Sequence, residues 1–315
     1  MMLGSLSQGR DGRLVVVRDG RMGEAPVRTL RDALDEWDDA RPALKGVQLD
    51  RPFDESATTA PLPRAADFLD GSAYVNHVEL VRRARGAEMP ERFWTDPLMY
   101  QGSGQFAGAG SPIPTRDGWG ADCEAEVAVI VGDVPMGASP DEAADAIRLI
   151  VLINDVSLRG LIPAELSKGF GFVHGKPPCA MSPLALTPDE LSGWDGRILS
   201  GTVAVDLNGS PLGRVEAGED MVFDFGRLVS HAAATRSLGP GTVIGSGTVS
   251  NREEDGPGRP VAEGGRGYTC LAEQRTVETI LHGRPRTRFL SPGDRVSISM
   301  EGAPFGTIEQ EVVAA

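Results

Sequence analysis

Glu124 and Glu126 stand two residues apart in an apolar stretch, Cys123-Glu124-Ala125-Glu126-Val127-Ala128-Val129-Ile130-Val131. Strand alternation sends both carboxylates to the same face. Like charges so placed repel unless something positive lies between them. A second apolar run, Leu149-Ile150-Val151-Leu152-Ile153, reads as a buried strand and ends on Asn154-Asp155. Three oxygen ligands converging from strand ends suit a hard divalent cation, Mg²⁺ or Ca²⁺ with Mn²⁺ as a further option, and leave positions open for a chelating substrate. A plainer reading puts the glutamates on a solvated face and starts a turn at Asp155. Against it, the face carrying the glutamates continues through Ala128 and Ile130, where a wet face would stay polar.

The elements that must hold these groups fit comfortably in the chain. Its 315 residues, 40% of them hydrophobic, allow one large domain or one with a small appendage. A net charge of -14 and a pI near 4.8 repel phosphate, so nucleic acid and anionic membrane are excluded as partners and a small anionic substrate needs a local cation. Cys123, Cys179 and Cys270 are an odd number with no paired spacing, which argues against a disulfide framework and for a reducing, cytoplasmic setting. No aliphatic run approaches the length of a membrane span.

Residues 1–61 read as a small N-terminal domain and linker, and residues 62–315 as the main domain. In the former, Arg13 to Val17 enters a turn at Asp19-Gly20, and Thr29 with Asp32 forms a capping box before a helix. Asp50 to Pro63 reads as linker. In the latter, Asn76 to Arg85 is a short basic helix, Gly86 to Gly120 is loop, and Ser139-Pro140-Asp141-Glu142 starts a helix. Asn208-Gly209 signals a hairpin, a helix falls between Asp220 and Arg236, and strands are expected at 242–245, 277–281, 294–300 and 307–312. Many short strands and few helices give a predominantly β, mixed α+β fold.

From about Leu62 to Val312 the chain resembles the fumarylacetoacetate hydrolase family. The resemblance rests on the Glu124-Ala125-Glu126-Val127-Ala128 strand and Asn154-Asp155-Val156-Ser157-Leu158-Arg159, on Gly175-Lys176 ahead of Ser182-Pro183, and on Gly245-Ser246-Gly247-Thr248-Val249-Ser250 and Pro292-Gly293-Asp294-Arg295-Val296, in that order. It implies a β-sandwich roll with a small N-terminal SH3-like domain, a homodimer, and a metal-dependent hydrolase cleaving a C–C bond in a β-diketo or acylpyruvate-type keto acid. Glu124, Glu126 and Asp155 become metal ligands, and Asp70, seven residues before His77, a fourth. Structurally, Asp70-Gly71 reads equally well as a turn.

Such chemistry needs the ion to polarise a carbonyl and stabilise the enolate that leaves, and a base to activate water. His77, His174, His231 and His282 are the available imidazoles. His77 matches the family's position and His174 is the second candidate. Glu273 matches the family's partner carboxylate, with Glu79 as rival. Lys176 and Arg159 are expected at the developing negative charge, and Tyr100 and Thr248 at substrate. Ile162 replaces a substrate-facing glutamine of the fumarylacetoacetase branch, which argues against fumarylacetoacetate itself. A 2-oxo acid hydratase, isomerase or decarboxylase on the same scaffold is the close alternative, and a non-catalytic small-molecule binder a more distant one.

Overall fold

The computed structural model describes residues 1–84 and 86–315. Its architecture is mixed α+β and dominated by sheet. Among the described residues the largest sheet has twelve strands, and every strand that delivers a candidate ligand lies in it. At its centre Ala125–Val131 pairs antiparallel with Ile147–Asn154 on one side and Thr242–Gly245 on the other. Thr242–Gly245 then runs parallel to Phe68–Gly71, which in turn pairs with Met99–Gln101. Both faces of the central strands are covered, which is why their sequence is apolar without alternation. Val127, Val129, Ile150 and Leu152 enter one core and Ala128, Ile130, Val151 and Ile153 another.

The strands of the first residues are hydrogen-bonded into this same sheet. Met2–Leu6 pairs with Arg13–Arg18 on one side and with Leu184–Leu186 on the other. Asp19 and Gly20 take the positive φ of a tight hairpin turn, and Thr29 and Asp32 make the reciprocal cap. Asp50 to Pro63, expected to be linker, contributes the short strands Arg51–Pro52 and Thr58–Thr59 to the sheet edge and to Met2–Leu6.

Three further expectations change. The 277–281 strand is instead part of the helix Leu271–His282, capped by Cys270 Sγ accepting the Glu273 N–H. β-Branched Val277, Thr279 and Ile280 suggested a strand, but burial at Leu271, Glu273 and Val277 gives the segment a helical face. His282 closes that helix ahead of left-handed Gly283 rather than turning between strands. The stretch 86–120 is not all loop: Met99–Gln101 and Ile113–Thr115 are edge strands, the first carrying Tyr100. The basic helix spans Val75–Ala84, and Arg85 lies outside the described residues.

A second, five-stranded sheet contains the Asn208-Gly209 hairpin and the strands Arg295–Met300 and Ile308–Ala314. The Pro292-Gly293-Asp294 turn anchors it. Asp294 accepts from Asn208 Nδ2 at 2.9 Å, from both terminal nitrogens of Arg288 and from the Ser291 N–H at 2.8 Å. Chiefly through Arg288, these bonds pull its carboxyl down to about 2. A carboxyl depressed in the folded state stabilises it above the unfolded value near 4, and that contribution is lost as pH falls through about 2. Asp294→Asn is therefore expected to cost about 2 kcal/mol at pH 7 in denaturant titrations, with the gap from wild type closing as pH drops below about 4.

Candidate metal centre and active site

The sheet register explains how distant carboxylates meet. Gly245 sits opposite Asp70 on one neighbouring strand and opposite Ala128 on the other, so Asp70 and Glu126 approach across a strand position that has no side chain. A Cβ on Gly245 would stand 2.3 Å from Asp70 Oδ1 and 3.0 Å from Glu126 Oε2. The third member, Asp155, follows directly on Ile147–Asn154, its N–H bonded to the Glu124 carbonyl at 2.9 Å. One carboxylate oxygen each from Asp70, Glu126 and Asp155 lie within 4.8 Å of one another, all three residues buried.

These groups fit a divalent ion on several counts. Both oxygens of Glu126 are buried without a hydrogen-bond donor, and the neighbouring Asp70 carboxyl can donate to them only while it keeps its own proton. Burial, then the other carboxylates, pushes Asp70 and Glu126 above the ordinary carboxyl range, and Asp155 moves the same way. Among the described residues neither Asp70 nor Glu126 has a cationic partner, whereas Asp155 and Glu124 share the Lys176 ammonium. Two buried carboxyls with no cationic partner, which give up their protons to an ion, match one divalent cation, and an all-oxygen donor set selects a hard one. If Gly245 makes the room, Gly245→Ala should weaken Mn²⁺ binding roughly 10- to 100-fold or more by calorimetry and, because the methyl crowds two buried carboxyls, also lower the thermal midpoint in metal-free buffer by the equivalent of about 1–3 kcal/mol.

Glu124, also expected as a ligand, is held by four side-chain donors. Its carboxylate receives Arg159 Nη2 and Thr248 Oγ1 on Oε1, and Lys176 Nζ and Ser157 Oγ on Oε2. Burial opposes its charge, but Arg159 and Lys176 outweigh that and hold the carboxyl well below its usual range. Glu124 thus forms a charged bridge between the oxygen cluster and a second group. In that second group, ligand-type atoms of His77, Glu124 and Cys270 lie within 4.8 Å of one another.

His77 Nδ1 stands 2.7 Å from Glu273 Oε2, joining the helix Val75–Ala84 to the helix Leu271–His282. Glu79 pairs with Arg252 on the surface at 2.9 Å and does not reach His77. The other imidazoles lie apart: His174 and His282 are exposed, and His231 stands 3.8 Å from Asp96. Lys176 lies 5.2 Å from the Tyr100 ring centroid, and the Tyr100 hydroxyl bonds Asp155 Oδ2 at 2.8 Å. Tyr100 and Thr248 therefore brace carboxylates. Burial works against the charge on Lys176, yet Asp155 and Glu124 hold its ammonium above the normal range.

Two supports escaped the sequence reading. Asp122 binds Arg159 Nε at 3.0 Å and caps the N–H groups of Leu271 and Ala272, so it orients both Arg159 and the helix bearing Glu273. Its signal was the run Asp122, Glu124, Glu126, acids at every second residue. Glu165 gathers four backbone N–H groups, from Phe172 to Gly175, at 2.8–3.1 Å and so fixes the segment leading into Lys176. A lone Glu in the short helix Ile162–Leu166 gave no such hint.

The family description "Fumarylacetoacetate (FAA) hydrolase C-terminal" matches residues 68–313, and "Fumarylacetoacetase N-terminal domain 2" matches residues 1–64. The chain belongs to the fumarylacetoacetate hydrolase family. It is 23% identical to the oxaloacetate tautomerase YisK of Bacillus subtilis (strain 168) over 259 residues, 80% of this chain and 72% of that protein. To the 2,4-didehydro-3-deoxy-L-rhamnonate hydrolase of Sphingomonas sp. (strain SKA58) it is 30% identical over 196 residues, 61% of this chain and 55% of that one. The structure of maleylpyruvate hydrolase from Sphingobium sp. SYK-6, in complex with manganese(II) and pyruvate, matches with a TM-score of 0.64 across all of both chains at 16% identity, a likeness of fold. This family is one of enzymes, and its named members here include both hydrolases and a tautomerase. No helix among the described residues is long and apolar enough to cross a membrane.

Proposed function

We propose that this family member is a divalent-metal-dependent hydrolase that cleaves a C–C bond in a β-diketo or acylpyruvate-type acid. One observation carries the reading: an oxygen-only cluster with two unpaired carboxyls lies beside a histidine–carboxylate pair, with Glu124 joining the two. Asp70, Glu126 and Asp155 would hold the cation, which when bound would supply Lewis-acid polarisation to a chelating 1,3-dicarbonyl. Mn²⁺ or Mg²⁺ suits those ligands, and the fold neighbour named with manganese and pyruvate lends the choice support.

The remaining work belongs to the chain. Glu273 fixes the His77 ring through Nδ1, leaving Nε2 to take a proton from water, and offsets the charge the ring then carries. Hydroxide adds to the distal carbonyl, the C–C bond breaks toward the pyruvoyl side, and the proton held by His77 passes to the departing carbon, giving a carboxylic acid and a 2-oxo acid. Lys176 stays charged and acts as a fixed cation beside the reacting oxygens. Arg159, its fork spent on Asp122 and Glu124, presents what remains to the substrate carboxylate.

Keto–enol isomerisation is the second reading, favoured by the tautomerase relative. It uses the same base to move a proton between carbon and oxygen with no C–C bond broken. Incubating the protein with an acylpyruvate and Mn²⁺, and weighing the products, separates them. Two fragments support hydrolysis. An intact skeleton that takes up deuterium at C3 from D₂O faster than in a protein-free control sinks it in favour of isomerisation, and loss of CO₂ or simple gain of water points to a decarboxylase or hydratase.

A further inference from the structure

Cys270 has no part in the reaction above, yet its sulfur lies beside the residues that carry it. One ligand-type atom each of His77, Glu124 and Cys270 lie within 4.8 Å of one another, a group separate from Asp70, Glu126 and Asp155. The donor types differ too: oxygen alone in the carboxylate cluster, nitrogen, sulfur and oxygen here. Oxygen ligands suit Mg²⁺ or Mn²⁺, whereas imidazole with thiolate suits Zn²⁺, and three such ligands leave the fourth corner of a zinc tetrahedron to water.

Each ligand is oriented by a neighbour. Glu273 Oε2 stands 2.7 Å from His77 Nδ1 and leaves Nε2 free for an ion, the carboxylate–histidine arrangement that fixes the tautomer of a metal-binding imidazole. Cys270 is the N-cap of the helix Leu271–His282, where Sγ accepts the Glu273 N–H at 3.3 Å and the helix dipole favours negative sulfur. Glu124 is the contested ligand. An ion has to displace one of its four donors, and Arg159 Nη2 yields most readily, because Asp122 still holds Arg159 through Nε. Cys270 itself is fully buried, but half-buried His77 opens on a cavity of about 380 Å³ that gives an ion its way in.

We propose that His77, Glu124 and Cys270 form a second metal site, selective for Zn²⁺, and that zinc bound there switches the enzyme off. Zinc takes the place of the Cys270 thiol proton, which leaves to the buffer, and occupies the His77 nitrogen that would otherwise accept a proton from water. The site rests on the geometry of the three side chains. Its inhibitory effect rests also on His77 being the base of the reaction proposed above.

The test uses the full-length, Mn²⁺-loaded protein and Cys270→Ser, which keeps a good N-cap but exchanges a thiolate for a poor zinc ligand. In excess Mn²⁺ the wild type should lose turnover as Zn²⁺ is added, keeping its manganese and gaining about one zinc per chain by elemental analysis. Cys270→Ser should need roughly tenfold more zinc for half-inhibition, each protein measured against its own zinc-free rate. Co²⁺ gives a readout without turnover, since its bond to a thiolate absorbs in the near ultraviolet. With the oxygen cluster disabled by Glu126→Leu, Co²⁺ should produce that band and Cys270→Ser should remove it. Cys179→Ala, which deletes the thiol 3.1 Å from Asp155, should keep it. Zinc that replaces manganese mole for mole, equal zinc sensitivity in Cys270→Ser, or a band that survives Cys270→Ser overturns the site. A Cys270-dependent band with turnover undisturbed by zinc keeps the site, overturns its inhibitory effect and removes His77 as the base. If no keto acid turns over at all, the proposed reaction fails and the band still decides the site.

Discussion

Glu126→Leu is expected to abolish divalent-ion binding and to lower activity about a thousandfold, while making the metal-free protein more stable, not less. The two halves share one cause. Glu126 is fully buried, its oxygens lack donors and no cation pairs with it, so without an ion it is a desolvated group held at a cost. Replacing a buried carboxyl whose oxygens lack partners with an apolar side chain of similar volume removes a desolvation cost of about 1–3 kcal/mol. The ion reverses the balance in the wild type. At a concentration one-hundredfold above Kd it contributes about 2.7 kcal/mol, a rise in thermal midpoint of roughly 4 °C for a chain of this size. Differential scanning calorimetry with and without Mn²⁺ reads both effects, and an undiminished Mn²⁺ shift in Glu126→Leu would remove this residue from the metal centre.

The second large effect concerns His77 and Glu273. His77→Gln should lower kcat by about 10² to 10⁴, the range lost with a positioned general base. Glu273→Gln should cost a comparable amount, because the amide holds the ring in place but cannot offset its charge. The double variant should be hardly worse than His77→Gln alone, since the two side chains act through one proton. The Mn²⁺-induced shift in thermal midpoint should persist in all three, the oxygen cluster being intact. A protein that binds a keto acid unchanged, and has no turnover for these substitutions to remove, would be the non-catalytic binder instead.

Local signals read well from the sequence where chemistry and backbone agree. Alternation on Ala125–Val131 put Glu124 and Glu126 on one face, and the end of the apolar run located Asp155. The Asp19-Gly20 and Asn208-Gly209 turns and the Ser139–Glu142 capping box follow from positive φ and orphan N–H groups, which are local needs. What could not be read was the company each acid keeps. Strand order brings Asp70 over Gly245 to Glu126, and Arg159, Lys176 and Thr248 bind Glu124. Neither sheet order nor competition for a carboxylate has a periodic signature. The 277–281 segment failed for a related reason, since part of the packing that makes it helical comes from Leu80, far away along the chain, which meets Val277 together with Tyr268.

The parallel pairing of Phe68–Gly71 with Thr242–Gly245 has a consequence for how the molecule is made. Asp70 leaves the ribosome early, yet the strand that docks it beside Glu126 follows more than 170 residues later. Until that strand emerges, a nascent chain holds its acidic residues in solution and exposes an apolar strand edge. Ion capture therefore belongs to the closing stages of folding, and magnesium or manganese added during refolding should increase the yield of native protein more than the speed of early collapse.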